Sequence, residues 1–125
     1  MEQKICLDTD ICIEILKENL SYEGLFDKFS SSDVFITSIT LFELSLRDFN
    51  LADVEKFARY FTTLVFDDNC AIKGSEIAKD LKKKGKIIDF RDVFIAAICI
   101  VNDRSLLTLN RKHFENIDEL KLLKI

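Results

Sequence analysis

The sequence predicts an α/β fold, a three-layer αβα sandwich with helices on both faces of a mainly parallel sheet of about four to five strands. Two observations carry this. Short apolar runs of strand length alternate along the chain with stretches whose apolar residues recur at helical spacing. The longest apolar run, Val93 to Val101, follows the acids Asp89 and Asp92 and stops at Asn102-Asp103. Its length and flanks favour a helix buried on all sides, with the acids at its positive end. The remaining elements are expected to pack around it.

In chain order, Lys4 to Leu7 reads as a strand that breaks into Asp8, Thr9 and Asp10, after which Ile11, Cys12, Ile15, Leu16 and Leu20 recur at helical spacing. Leu25, Phe26 and Phe29 suggest a second short helix over residues 21–32, closed by three serines. Asp33 to Thr37 reads as the next strand, with Ser38 and Thr40 as candidate caps for a helix that places Glu43 in its first turn. Asn50 and Asp53 open another helix, on which Val54, Phe57, Ala58 and Phe61 follow i, i+3, i+4, i+7, so the two helices form a hairpin. Leu64 to Phe66 is the expected third strand. Asp67 to Asn69 then opens a helix that ends in three lysines and Gly85, a favourable C-terminal signal. Beyond the apolar helix, Ser105 to Thr108 reads as a fourth strand and Leu120 to Ile125 as an edge strand.

Composition narrows the function. The 125 residues, 48% of them hydrophobic and 11 of them Phe, suffice for one core, so residues 1–125 are expected to form a single domain. No run approaches the roughly 20 apolar residues of a membrane span and no signal-peptide core follows the first residues, which implies a cytoplasmic protein. Cys6, Cys12, Cys70 and Cys99 sit in or beside apolar segments without a C-x-x-C pair, and His113 is the one histidine, so disulfide and zinc frameworks are not expected. A net charge of −4 argues against holding nucleic acid by bulk electrostatics, leaving that task to local cations. Three glycines and no proline leave no phosphate-cradling loop.

Under this architecture Asp8 ends the first strand, Glu43 starts the helix after the second, Asp92 starts the buried helix and Asn110 follows the fourth strand, so all four project to the carboxyl edge of the sheet. Each has an ordinary explanation: Asp8 and Asp92 as helix caps, Glu43 as half of a capping box with Thr40, and Asn110 as a turn residue. Taken together they are harder to dismiss. Converging carboxylates repel one another and are stable mainly when a cation neutralises them or one stays protonated, and no basic neutraliser is expected nearby. Mg²⁺ or Mn²⁺ suits an all-oxygen site, and such a site suits hydrolysis of a phosphodiester without a Ser, Cys or His nucleophile.

Four segments, in order and in register, are Leu7 to Asp10, Ile36 to Leu44, Gly85 followed by Asp92 to Ala97, and Leu107 to Phe114. Together they resemble the PIN domain and, more narrowly, the VapC toxins of toxin–antitoxin operons. The resemblance covers nearly the whole chain. It implies a PIN-like fold and a metal-dependent endoribonuclease, with Asp8, Glu43 and Asp92 matching the family's metal-binding acids. Asn110 stands where many members carry a fourth acid. Thr9, Thr108, Asn110 and Asp89 are candidate supporting residues, although Asp89 also suits an ordinary first-turn acid. The resemblance further implies an RNA substrate, a VapB-like antitoxin and a homodimer. Lys86, Arg91, Arg111 and Lys112 are the cations nearest the expected face and are candidates for contacting RNA phosphates. A PIN-like nuclease of RNA processing outside a toxin–antitoxin pair is the alternative. A receiver-type phosphoacceptor fits less well, because Asp67 is followed at once by a helix start and Lys124 falls at the final residues.

Overall fold

A computed structural model describes residues 4–19, 24 and 33–124. Four parallel strands, β1 (Lys4–Leu7), β2 (Asp33–Thr37), β3 (Thr62–Leu64) and β4 (Ser105–Leu107), are ordered β3-β2-β1-β4. The helices among the described residues are α1 (Thr9–Leu16), α2 (Ser38–Leu46), α3 (Leu51–Ala58), α4 (Asp68–Lys83) and α5 (Phe90–Val101), with a 3₁₀ turn at Arg111–His113. The expected α/β architecture is present. The helix expected over residues 21–32 lies outside the described residues, Gly24 excepted.

Strand alternation divides the core in two. Cys6 and Leu106 face the layer of α4 and α5, packing with Ile77, Leu81, Val93, Ile98 and Phe114. Ile5, Leu7 and Leu107 face the layer of α1, α2 and α3, packing with Ile11, Ile36, Leu44, Val54 and Phe57. The helix α5 buries Val93, Ile95, Ala96, Ala97, Ile98 and Cys99, as its uninterrupted apolar run requires. Its close neighbour α4 reaches it through Gly74, where an added Cβ would stand 3.7 Å from Ala97 Cβ and 3.8 Å from Val93 Cγ1.

Several boundaries differ from expectation, each with a local cause. The third strand is Thr62–Leu64, because the Phe66 N–H leaves the ladder for Ser38 Oγ at 3.3 Å while the Phe66 ring packs on Phe94 at 4.7 Å. Helix α2 is capped by Thr37, whose hydroxyl accepts from the Thr40 N–H at 3.1 Å. Ser38 and Thr40 therefore lie inside the helix, there is no Thr40–Glu43 capping box, and Glu43 sits in the second turn. Asp89, not Asp92, caps α5, accepting from the Arg91 N–H at 3.0 Å. The C-terminal segment forms one bridge, Leu106 with Leu122, and not a strand, since β4 offers only three residues to pair with.

The α4–α5 contact yields a prediction with two signs. Gly74→Ala fits in ordinary van der Waals contact and restores helix propensity, so urea unfolding should show a gain of about 0.5–1 kcal/mol. Gly74→Leu must push Ala97 and Val93 aside and should lose about 1–3 kcal/mol by the same measurement.

Candidate active site

Parallel pairing aligns the carboxyl ends of β1, β2 and β4, and the residues that follow them converge. Asp8 leaves β1 with its N–H bound to Leu107 O at 2.9 Å, which locks it to the end of β4. Its side chain is buried; Oδ1 accepts from the Thr9 N–H at 2.8 Å and Oδ2 from the Thr108 hydroxyl at 2.7 Å. Glu43 reaches from α2, its Oε1 accepting from Thr9 Oγ1 at 3.0 Å. Thr9 Oγ1 also lies 2.9 Å from Thr40 Oγ1, which in turn lies 3.4 Å from Thr37 Oγ1. Four threonines, three of them at the ends of strands or just beyond, thus orient acids drawn from different elements.

Asp92 projects from the first turn of α5. It lines, with Asp8, Asp10, Glu43, Asp89 and Asn110, one cleft of about 190 Å³. The structure therefore brings together the three principal candidate acids and, with Thr9, three of the four supporting ones. Thr108 stands behind Asp8. The Asn110 side chain caps no N–H of the 3₁₀ turn, and its backbone N–H donates to Thr108 Oγ1 at 3.1 Å.

Sequence reasoning missed three participants. Asp10 reads in the sequence only as part of the break after the first strand, yet its Oδ2 accepts from Thr108 Oγ1 at 3.2 Å and from the Leu109 N–H at 3.1 Å. Thr40 was assigned to capping. His113 was set aside as a lone histidine, but its Nδ1 lies 3.4 Å from Asp92 Oδ2. The position of His113, just past the fourth strand, was the available signal. Nor is the cluster free of basic partners as expected, because Arg91 Nη1 stands 3.6 Å from Glu43 Oε2 in addition to the His113–Asp92 pair. Of the other cations proposed for RNA, Lys86 and Lys112 line an adjoining cavity, whereas Arg111 donates to Leu123 O at 2.6 Å and is directed to the C-terminal segment.

Burial and the charge of Asp10 push the Asp8 carboxyl up to about 7, against the opposing pull of the Thr108 hydroxyl and the Thr9 N–H. Burial and Asp89 raise Asp92 to about 6, partly offset by His113 and Arg91. Two acids that resist ionisation at one sheet edge would both be relieved by a cation. The donor set fits a hard dication such as Mg²⁺ or Mn²⁺, being carboxylate and amide oxygen. As arranged, no three acids or imidazoles among the described residues form a group that holds an ion. Glu43 is engaged by Thr9 and Arg91, and Asp92 by His113. The fit is one of donor chemistry and convergence, not of a preformed cage.

The fold and this acid-lined sheet edge define a class: the PIN domain model matches residues 5–120, and the chain belongs to that family. Within it the relatives are VapC proteins. The chain is 31% identical to the tRNA(fMet)-specific endonuclease VapC of Salmonella typhimurium, over 95% of this chain and 96% of that one. It is 29% identical to Ribonuclease VapC1 of Methanocaldococcus jannaschii, over 97% of this chain and 86% of that one. Among solved structures, VapBC2 from Rickettsia felis bound to a DNA fragment from their promoter superposes with a TM-score of 0.84 at 25% identity, covering 97% and 98% of the two chains. The resemblance carried by the four sequence segments is thereby borne out.

The raised Asp8 carboxyl has a consequence for stability. Its folded-state value of about 7 lies above the roughly 3.9 of an unfolded Asp, so the folded state binds the extra proton. Stability is fully present below about pH 4 and is lost as the pH rises towards 7, by on the order of 2–4 kcal/mol. In metal-free buffer, Asp8→Asn should keep the Thr9 N–H bond, flatten this dependence and unfold at a higher urea concentration than wild type at pH 8. A variant less stable than wild type at that pH would contradict the assignment.

Proposed function

We propose that the chain is a Mg²⁺- or Mn²⁺-dependent endoribonuclease, the toxin of a VapBC-like pair, acting as a single cytoplasmic domain over residues 1–125. The observation that carries this reading is the convergence of Asp8, Glu43 and Asp92 from three elements into one cleft, in a chain whose matched relatives are named ribonucleases.

Asp8, Glu43 and Asp92 would hold the ion, with Asn110 beside them in the position of a fourth donor. When bound, the ion supplies activation of water and compensation of charge at the phosphate. The protein's own work is placement. Thr9 aims Glu43, Thr108 aims Asp8 and separates it from Asp10, and the start of α5 carries Asp92 into the cleft. Arg91 offsets the charge of Glu43 and His113 lies against Asp92, and both line the cleft where they would meet the substrate backbone. No transmembrane-length apolar helix is present among the described residues. The order β3-β2-β1-β4 and the use of Asp67 as the cap of α4 leave no place for a receiver's acceptor.

Assembly belongs to the same reading. Of the hairpin phenylalanines expected to form an interface, Phe57 and Phe61 are buried and Phe49 half-buried, so they serve the core. Phe42 and Leu46, one turn apart on α2, are 57% and 65% exposed. This smaller patch supports a homodimer, with a VapB-like antitoxin segment laid along a neighbouring groove.

Purified chain freed of antitoxin should cut a structured RNA in Mn²⁺ and not in EDTA, and Asp8→Asn or Asp92→Asn should each reduce the rate at least about 100-fold. Millimolar Mn²⁺ should also raise the wild-type melting temperature and leave Asp8→Asn nearly unmoved. Cleavage that survives EDTA or either substitution would refute the mechanism. By light scattering at tens of micromolar, the chain should weigh about twice its 14.5 kDa, and Phe42→Asp should shift it to monomer; a wild-type monomer would rule the dimer out.

A further inference from the structure

Beside the acid-lined cleft lies a larger cavity of about 540 Å³. Asp89, Asp92 and His113 line both, so the two share a wall along the first turn of α5. The chemistry of the larger cavity differs from that of the cleft. Leu81, Val93 and Ile117 give it an apolar floor, and each is buried. Lys86 and Lys112 line it from two different segments, and Ile87 stands beside them 98% exposed.

Its walls are held before any ligand arrives. Gly85 turns the chain at φ +69°, and the Lys86 N–H returns to Leu81 O at 2.9 Å. Lys84 Nζ, at the end of α4, donates to Asn116 O at 3.1 Å and to Asp118 Oδ2 at 2.9 Å, while Lys73 Nζ reaches Glu119 Oε1 at 3.1 Å. Lys73 of α4 and Lys84 just past its end thus hold the 116–119 segment opposite the turn that carries Lys86 and Ile87. A rigid cavity loses less of its binding free energy to ordering.

We infer that this cavity is a nucleotide subsite, taking one unpaired nucleotide of the RNA next to the scissile phosphate; the assignment rests on the ribonuclease reading above. Ile87, Val93 and Ile117 receive the face of the base or ribose, and Lys86 and Lys112 receive the flanking phosphates. Three features select this occupant. The volume lies within the range of small-ligand sites, roughly 300–1,000 Å³. An apolar floor bordered by cations matches a splayed base joined to its phosphates, the form in which single strands are bound. Two lysines at one cavity, in a chain of net charge −4, supply local cations that an acidic protein needs to hold RNA. A duplex keeps its bases stacked inside and has nothing to insert, so preference for single strands or loops follows from the cavity itself.

The test uses a labelled single-stranded RNA octamer and fluorescence anisotropy, in the Asp8→Asn background with EDTA so that the probe stays intact. Lys86→Ala and Ile87→Ser alter exposed side chains and should leave the circular dichroism spectrum unchanged. Lys86→Ala should weaken binding several-fold and reduce the slope of log affinity against log salt by about 0.7, the loss of one phosphate contact to a single strand. Ile87→Ser should weaken binding roughly five- to tenfold with the slope unchanged. A blunt duplex of equal length should bind weakly and be indifferent to Ile87→Ser. In Mn²⁺, with Asp8 restored, both substitutions should act through KM. No binding of the octamer, or unchanged binding in both variants, overturns the subsite, whether or not either variant loosens a protein partner. Binding as described with no cleavage by the wild type in Mn²⁺ overturns the ribonuclease reading and leaves a nucleotide-binding cavity with no scissile phosphate beside it; normal cleavage with two silent variants overturns the subsite and leaves the ribonuclease reading standing.

Discussion

The structure depends on keeping a carboxylate buried at the end of a central parallel strand. Asp8 lies between the ends of β2 and β4, with its backbone tied to Leu107 and its side chain to Thr9 and Thr108. Burial and the neighbouring Asp10 oppose its charge, and no hydrogen bond around it fully compensates. The surroundings therefore look less like a core than like a support. Short hydroxyl side chains, which occupy little volume and can both donate and accept, fill the space between acids. The uninterrupted apolar surface of α5 packs with Cys6 and Leu106 of the sheet, so that Asp92 stands on a helix anchored in the core.

This arrangement also explains why the acids come from separate elements. A parallel sheet gathers the carboxyl ends of its strands at one edge, and helices that follow those strands begin there. Asp8 stands at such a beginning, and Asp92 stands at the start of α5, which follows α4 and leads back into β4. Glu43 does not, being a full turn further along α2, and it reaches the cleft because Thr37 starts that helix early and Thr9 supplies a hydroxyl within its range. Helix polarity and side-chain length together bring one acid from each element to a common point.

The parts legible in the sequence were those governed by periodicity and by strong punctuation. The run from Val93 to Val101 could only be a buried element, Asn50 and Asp67 open the helices they were expected to open, and Asp8, Glu43 and Asp92 stand out because all three fall at the carboxyl edge of the sheet, although Asp8 also caps α1. What sequence could not supply was side-chain direction. Nothing in Arg91 or Arg111 says that the first turns towards Glu43 and the second towards Leu123. Nothing in Thr40 separates a cap from a second-row hydroxyl one turn inside a helix, since both roles use the same residue type. Short strands were also placed loosely, because three residues carry too little alternation to distinguish Thr62–Leu64 from the three that follow.

The slender attachment of the C-terminal segment has a further consequence, one of cooperativity. Leu122 and its neighbours join the sheet through two backbone bonds, Leu106 N–H to Lys121 O at 2.8 Å and Leu123 N–H to Leu106 O at 2.9 Å, and Arg111 grips Leu123 from the turn that carries His113. Arg111 thereby joins residues 121–123 to the 3₁₀ turn that carries the imidazole beside Asp92. The C-terminal segment and the His113 wall of the cleft are thus tied to each other, and whatever steadies residues 121–123 also steadies that wall.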